Sequence, residues 1–100
     1  MTNRMVLDGT LVKGPIRHQS PAGIQHCKFW LEHRSNQQEA GLSRQAYCRM
    51  PVVYSGAASH AFTENLVIGK SIRVVGFVSQ HKTNQGLPML VLHAEHIESL

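Results

Sequence analysis

The fold is decided by residues 25–33, whose sequence is Gln-His-Cys-Lys-Phe-Trp-Leu-Glu-His. Cys27, Phe29 and Leu31 alternate there with residues that carry polar groups or an indole ring. A period of two is typical of a strand that buries one face. The same alternation returns over residues 45–54, so we predict two neighbouring strands of one sheet, each with one buried and one outer face.

Further strands are predicted outward from this pair, over residues 5–12, 71–80 and 88–97. Gly9 indicates a bulge or sharp bend in the first strand, and Pro51 a bulge or the end of regular pairing in the third. Turn residues mark loops at 14–15, 20–23 and 84–86, and the polar stretch 34–43 is predicted to be a long hairpin loop. Residues 56–66 form the single predicted helix.

Five short strands, glycine bends and one helix between the third and fourth strands are what a five-stranded Greek-key barrel of the OB-fold type requires. The predicted fold class is therefore all-β, and the competing architecture, an SH3-like barrel, is disfavoured by the helix. With 100 residues, 42% hydrophobic and 16% charged, the chain is predicted to be one folded domain, 1–100. One small core leaves little stability to spare, so self-association is expected.

Composition also narrows the compartment and the chemistry. No stretch approaches the roughly 20 apolar residues that a membrane span needs, and no secretion signal is seen. Two cysteines, Cys27 and Cys48, are too few for a disulfide framework, so a cytoplasmic protein with inert thiols is expected. No catalytic or cofactor-binding motif is present, and we predict neither an enzyme nor a cofactor. The His93-x-x-His96 pair is not predicted to bind metal, because strand alternation would send the two rings to opposite faces.

Positive charge points to a polyanion partner. The net charge is +4, and the excess falls within residues 13–49, which hold six Lys or Arg against two Glu. Binding of a single strand without sequence readout combines such cations with aromatic rings on which bases stack. The candidate residues for binding single-stranded DNA are Lys13, Arg17, His18, Lys28, Trp30, Arg34, Arg44, Tyr47 and Lys82. For Tyr47 a half-buried cross-strand contact is the alternative, and for Trp30 a dimer interface.

Several ordered segments resemble the primosomal replication protein N (PriB) family. They are residues 2–7, 26–29, 31–35, 39–41, 44–46, 50–52 and 91–95, together with Met89. The resemblance covers nearly all of the chain, and a more distant similarity is to bacterial single-stranded DNA-binding proteins. It implies an OB-fold homodimer without catalytic activity that binds single-stranded DNA at abandoned replication forks, contacts the PriA helicase and then DnaT, and so permits helicase reloading.

The resemblance also implies which residues contact DNA. Arg34 and Lys82 match family contact positions, and Tyr47 stands where relatives typically carry a stacking tryptophan. Positions 18, 84 and 89 hold His, Asn and Met where relatives carry lysine, Leu42 replaces an aromatic residue, and Trp30 replaces a smaller aliphatic one. Two alternatives stay open: a protein-interaction adaptor that barely touches DNA, and an RNA-binding OB domain.

Overall fold

Five long strands make up the fold. The computed structural model describes residues 1–56 and 63–100, and the strands are β1 (Met5–Gln19), β2 (Gln25–Glu39), β3 (Leu42–Ser55), β4 (Ser71–Lys82) and β5 (Pro88–Ser99). They close into a barrel in the order β1-β2-β3-β5-β4. Every neighbouring pair is antiparallel except β3 and β5, which are parallel and meet, in the described part of the chain, at Val52–Leu92 and Val53–His93. The predicted five-stranded barrel is confirmed.

The predicted helix over residues 56–66 is not seen. Gly56, the residue after β3, has a φ of 113°, which no α-helical residue adopts. Residues 63–65 form a turn, in which the amide of Leu66 donates to the carbonyl of Thr63 at 3.1 Å. Residues 57–62, the remainder of the predicted helix, lie outside the described residues. Within 1–56 and 63–100 there is no helix, and hence none long and apolar enough to cross a membrane.

The core confirms the alternation that the sequence predicted for β2. Cys27, Phe29 and Leu31 are at most 2% exposed and fill the barrel interior. The other buried members of the core are Leu11, Val52, Leu66, Ile72, Val74 and Leu92. Each strand therefore contributes one inward row, and its other row forms the outer surface that any ligand would meet.

The prediction of a long loop over residues 34–43 is wrong. Pairing of β2 with β3 continues without a break to Glu39–Leu42, and a two-residue turn joins the strands. Both turn residues have positive φ, 52° at Ala40 and 75° at Gly41, as a type I′ hairpin turn requires. The hairpin extends past the barrel, so neither of its faces needs apolar residues. We call residues 33–48 the β2–β3 ribbon.

Local irregularities also lie elsewhere than predicted. β1 runs through Gly14-Pro15, and its register with β2 shifts between Leu11 and Ile16 rather than at Gly9. A Cβ at Gly9 would overlap the backbone of Glu32, so this glycine permits a close strand approach. Pairing continues past Pro51, which lies opposite Trp30. Hydrogen-bonded and non-hydrogen-bonded pairs alternate from the turn, and Trp30–Pro51 is a non-hydrogen-bonded pair. The nitrogen of Pro51 therefore faces away from β2, and its missing N–H removes no hydrogen bond between the two strands.

Candidate nucleic-acid interface

The outer face of β2 and β3 carries aromatic rings and charges in one line. β2 contributes Lys28, Trp30, Glu32 and Arg34, and their cross-strand partners on β3 are Val53, Pro51, Arg49 and Tyr47. Six residues of extended chain separate Lys28 from Arg34, which corresponds to about 20 Å. This length gives room for several nucleotides of an extended single strand, within the site sizes of OB folds.

Arg34 and Tyr47 form a stacked platform on the ribbon. They are a non-hydrogen-bonded pair, in which opposed side chains lie closest. The guanidinium carbon of Arg34 lies 4.5 Å from the ring centre of Tyr47, and Tyr47 is 50% exposed. Glu32 contacts both: one carboxylate oxygen lies 3.5 Å from Nε of Arg34, and the other accepts a hydrogen bond of 3.3 Å from the Tyr47 hydroxyl. A planar cation and a planar ring are thus held where a base can stack.

A shallow depression follows nearer the barrel. Trp30 is half-buried and lies opposite Lys13 across β1 and β2. The depression has a volume of about 290 Å³, and its lining includes Lys13, Ile16, His18, Lys28 and Trp30. An indole beside two lysines matches the ring-and-cation combination that binds single strands.

A larger groove continues from His18 and Lys28, which border both recesses. It has a volume of about 310 Å³ and crosses all five strands. Its lining consists of His18, His26, Lys28, Pro51, Val53, Ser55, His81, Lys82, Met89, Val91 and His93. Pro51 and Val91 are buried and Val53 is half-buried, so the floor is apolar, whereas Lys28 and Lys82 are exposed. We call this recess the histidine groove.

Two stacked pairs of imidazoles stand in this groove. The rings of His18 and His26 are 5.0 Å apart, and His26 Nδ1 lies 2.6 Å from the Ser55 hydroxyl. The rings of His81 and His93 are also 5.0 Å apart, with their Nε2 atoms hydrogen-bonded at 2.9 Å. His93 stacks on Phe77 as well, at 4.8 Å. Burial, and secondarily the neighbouring His81, lowers the pKa of His93 below 6.5.

Seven of the nine predicted DNA-binding residues share this surface. Lys28, Trp30, Arg34 and Tyr47 follow the outer face of β2 and β3, and Lys13, His18 and Lys82 border the two recesses. Arg17 and Arg44 are placed elsewhere. Arg17 lies opposite the buried Cys27, and its guanidinium donates to the carbonyl of Thr63. Arg44 has the opposite strand parity from Tyr47 and lies 3.8 Å from Glu39, so it belongs to the other face of the ribbon.

Part of the groove was not predicted from the sequence, namely His26, Pro51, Val53, Ser55, His81, Val91 and His93, and Met89 was named only as a position where relatives carry lysine. It was also wrong that His93 and His96 face opposite sides. They pair with Phe77 and Val75, which share one face of β4, because a register shift at Gly76 leaves Glu95 as an extra residue. Within the described residues, no three His, Cys, Asp or Glu side chains converge as metal ligands.

A protein family and individual relatives match nearly the whole chain. Residues 3–96 match a family described as another single-strand binding protein family. The replication restart protein PriB of Vibrio parahaemolyticus is 58% identical over 100 residues, which is the whole of both chains. The chain belongs to the PriB family. Another PriB, from Photorhabdus laumondii, is 60% identical over 97 residues, covering 97% of this chain and 92% of that one.

Solved structures of the PriB family and of more distant proteins share the fold. The PriB structure from Ralstonia solanacearum has a TM-score of 0.82 at 23% identity, covering 99% of this chain and 98% of that one. The single-stranded DNA-binding protein of Thermus aquaticus has a TM-score of 0.80 at 22% identity, covering 99% of this chain and 50% of that one. At these identities the comparison concerns architecture alone, and it confirms the OB-fold class.

Proposed function

We propose that the protein is a noncatalytic accessory factor of the replication-restart primosome that binds single-stranded DNA. The observation that carries the proposal is the exposed Tyr47 ring beneath the Arg34 guanidinium, continuous with Trp30 and with the histidine groove. The PriB relatives are named for replication restart, and the matching family for single-strand binding. Together these support a role at exposed single strands.

The chemistry of the surface fits binding without sequence readout. Every base has a face that can stack on Tyr47 or Trp30, and each such stack contributes about 1–3 kcal/mol. Arg34, Lys28 and Lys82 can neutralise phosphates, so affinity should fall with salt at a log–log slope near −0.7 per phosphate. Histidine, asparagine and methionine stand at positions 18, 84 and 89, where the resemblance predicts lysines, so we expect a shallower slope at pH 8 than for lysine-rich relatives.

Partners extend the proposal. We infer that the protein contacts the PriA helicase and DnaT, and that two copies associate. Exposed apolar residues on the outer face of β1 and β4 support self-association, since Val6 is 53% exposed and Phe77 is 40% exposed. The half-buried Val75 lies opposite Val6 and belongs to the same face. Apolar area of this kind on a small barrel favours a second copy. Sedimentation of the purified protein measures the oligomeric state.

The proposed DNA binding can be tested by titrating labelled oligo-dT at several salt concentrations. Tyr47→Ala should weaken binding by about 1–3 kcal/mol, and Arg34→Ala should weaken it and make the salt slope shallower by about 0.7. Arg44→Ala is the matched control, because it removes the same charge from the other face of the ribbon. It should change affinity much less.

Three results would contradict this account. Absence of oligo-dT binding by the wild type in dilute salt would exclude a DNA role. If Tyr47→Ala retains DNA affinity but loses the helicase, the ribbon serves as a protein-interaction adaptor. A strong preference for oligo-U over oligo-dT at fixed salt would instead assign the surface to RNA.

A further inference from the structure

Most of the ionisable groups that line the histidine groove are histidines, which can be neutral or positively charged. Lys28 and Lys82 are its permanent cations, and the other ionisable groups that line it are the four imidazoles of His18, His26, His81 and His93. These six come from β1, β2, β4 and β5, whereas β3 contributes Pro51, Val53 and Ser55. Among the described residues that line the groove there is no carboxylate. The positive charge of the groove therefore depends on how many histidines are protonated.

The geometry of each histidine pair is compatible with one added proton but opposes two. The hydrogen bond between His81 and His93 needs one Nε2–H donor and one bare Nε2 acceptor, so one added proton still leaves that bond intact. A second proton would place two donors 2.9 Å apart. In the His18–His26 stack, two imidazolium rings 5.0 Å apart would repel. One extra charge for each pair is the state that the geometry favours.

A phosphodiester in the groove would change this balance. Without a ligand, no acidic lining residue in the described chain offsets the positive charge of the two lysines. A phosphate brings the missing negative charge within reach of both walls. It favours the protonated rings, so binding takes up protons and, by linkage, acidification strengthens binding.

We propose that the histidines of the histidine groove, when protonated, contact the phosphodiester backbone of single-stranded DNA and couple its binding to proton uptake. The inference rests on the proposed DNA-binding function and names the regulation of that surface. The apolar floor of Pro51, Val53 and Val91 would lie under a sugar or base, and the charged walls would hold the phosphates. Protonation of His93 is opposed in the free protein, because burial and then His81 lower its pKa.

The test measures oligo-dT affinity at pH 6 and pH 8 at constant ionic strength. The wild type should bind more tightly at pH 6, by up to about tenfold per pH unit for each proton taken up. Its salt slope should be steeper at pH 6, by about 0.7 for each additional phosphate neutralised. Calorimetric titration in two buffers of different ionisation enthalpy should show net proton uptake.

Variants assign the effect to the groove. His81→Gln, and separately His18→Gln, should each bring the ratio of the affinities at pH 6 and pH 8 closer to one, whatever the substitution does to the affinity at pH 8. His96→Gln is the matched control, because His96 lies on the same sheet but outside the groove, 3.7 Å from Glu98. It should behave like the wild type.

The outcomes separate the two proposals. Equal affinity at pH 6 and pH 8 with no proton uptake would overturn the groove inference and leave the DNA-binding function intact. Full pH dependence in both His81→Gln and His18→Gln, or its loss in His96→Gln, would overturn the inference as well. If oligo-dT binds at neither pH 6 nor pH 8, the DNA-binding function itself is rejected.

Discussion

The hydroxyl of Tyr47 donates a hydrogen bond to the carboxylate of Glu32 across the β2–β3 hairpin, at 3.3 Å. The same carboxylate lies 3.5 Å from Nε of Arg34, whose side chain is 60% exposed. A negative charge is thus placed beside the cation and the ring that would hold a DNA strand. It fixes the platform in the free protein but repels a phosphate that approaches it.

Replacing Glu32 by glutamine should strengthen DNA binding. Glu32→Gln removes the repulsion yet keeps a side chain that can hydrogen-bond to Tyr47 and Arg34. We expect oligo-dT affinity to rise several-fold at low salt, with the difference shrinking as salt screens it. Glu39→Gln is the control, because Glu39 is paired with Arg44 on the ribbon. A weaker affinity in a folded Glu32→Gln variant would mean that the carboxylate orders the platform more than it opposes DNA.

Trp30 offers a direct optical readout. It is the one tryptophan of the chain and lines the depression beside Lys13 and Lys28. If a base stacks on the indole, oligo-dT should quench its fluorescence, and quenching should saturate with the binding curve. The Tyr47→Ala variant, titrated to the same saturation, should show similar final quenching at a higher DNA concentration. Unchanged emission at saturating DNA would remove Trp30 from the contact surface.

Acid should weaken the fold through Asp8. Two bonds from Arg73, 2.7 Å from Nε and 2.9 Å from Nη2, hold its carboxylate across β1 and β4. The hydrogen bonds from Arg73, and then its charge, hold the pKa of Asp8 below its usual 3.8. The ionised pair therefore stabilises the fold above pH 3.8, and this contribution is lost as pH falls through the lowered pKa.

The Asp8→Asn variant tests this linkage. Its urea unfolding free energy should lie below that of the wild type at pH 6, and the difference should narrow as the pH falls below 3.8. Glu95→Gln, at the exposed bulge of β5, should run parallel to the wild type. A constant gap between Asp8→Asn and the wild type from pH 6 to pH 2 would show that the pair does not titrate as stated.

Gly76 should tolerate no side chain. A Cβ there would overlap the carbonyl of His93 and lie 3.0 Å from Cα of Ala94, and backbone atoms cannot give way as a flexible side chain can. We expect Gly76→Ala to lower the unfolding free energy by about 3 kcal/mol or more. Gly41→Ala makes the same chemical change with nothing within 4 Å, at a φ of 75°, and should cost about 1 kcal/mol. Equal losses in the two variants would contradict the steric argument.

In β2, secondary structure was predicted correctly where residues pack against the core and wrongly where they face solvent. Cys27, Phe29 and Leu31 were predicted correctly because burial of one strand face imposes a strict alternation. Residues 34–43 were not, because a hairpin with solvent on both faces has no such constraint, and its polar composition resembles that of a loop. The type I′ turn at Ala40-Gly41 carries a weak signal, since alanine is unusual at positive φ.

The candidate site divides in the same way. Strand parity placed Lys28, Trp30 and Tyr47 on one face. Arg34 was assigned to the predicted loop over residues 34–43, and it lies on that face because the hairpin continues through it. The parity of Arg44 also follows from the register of that hairpin, but its charge alone does not reveal it. The histidine groove could not be predicted, because it depends on closure of β3 against β5 and on the register shift at Gly76, both of which are set by distant parts of the chain.

Closure of the barrel has one more consequence. β3 and β5 join through the two residue pairs described above, and Val53 and His93, which form one of them, both line the groove. A polynucleotide in the groove would therefore lie across the short β3–β5 pairing and contact both strands. Bound DNA would then oppose separation of β3 from β5. Amide protons next to this pairing should exchange more slowly in the DNA complex than in the free protein.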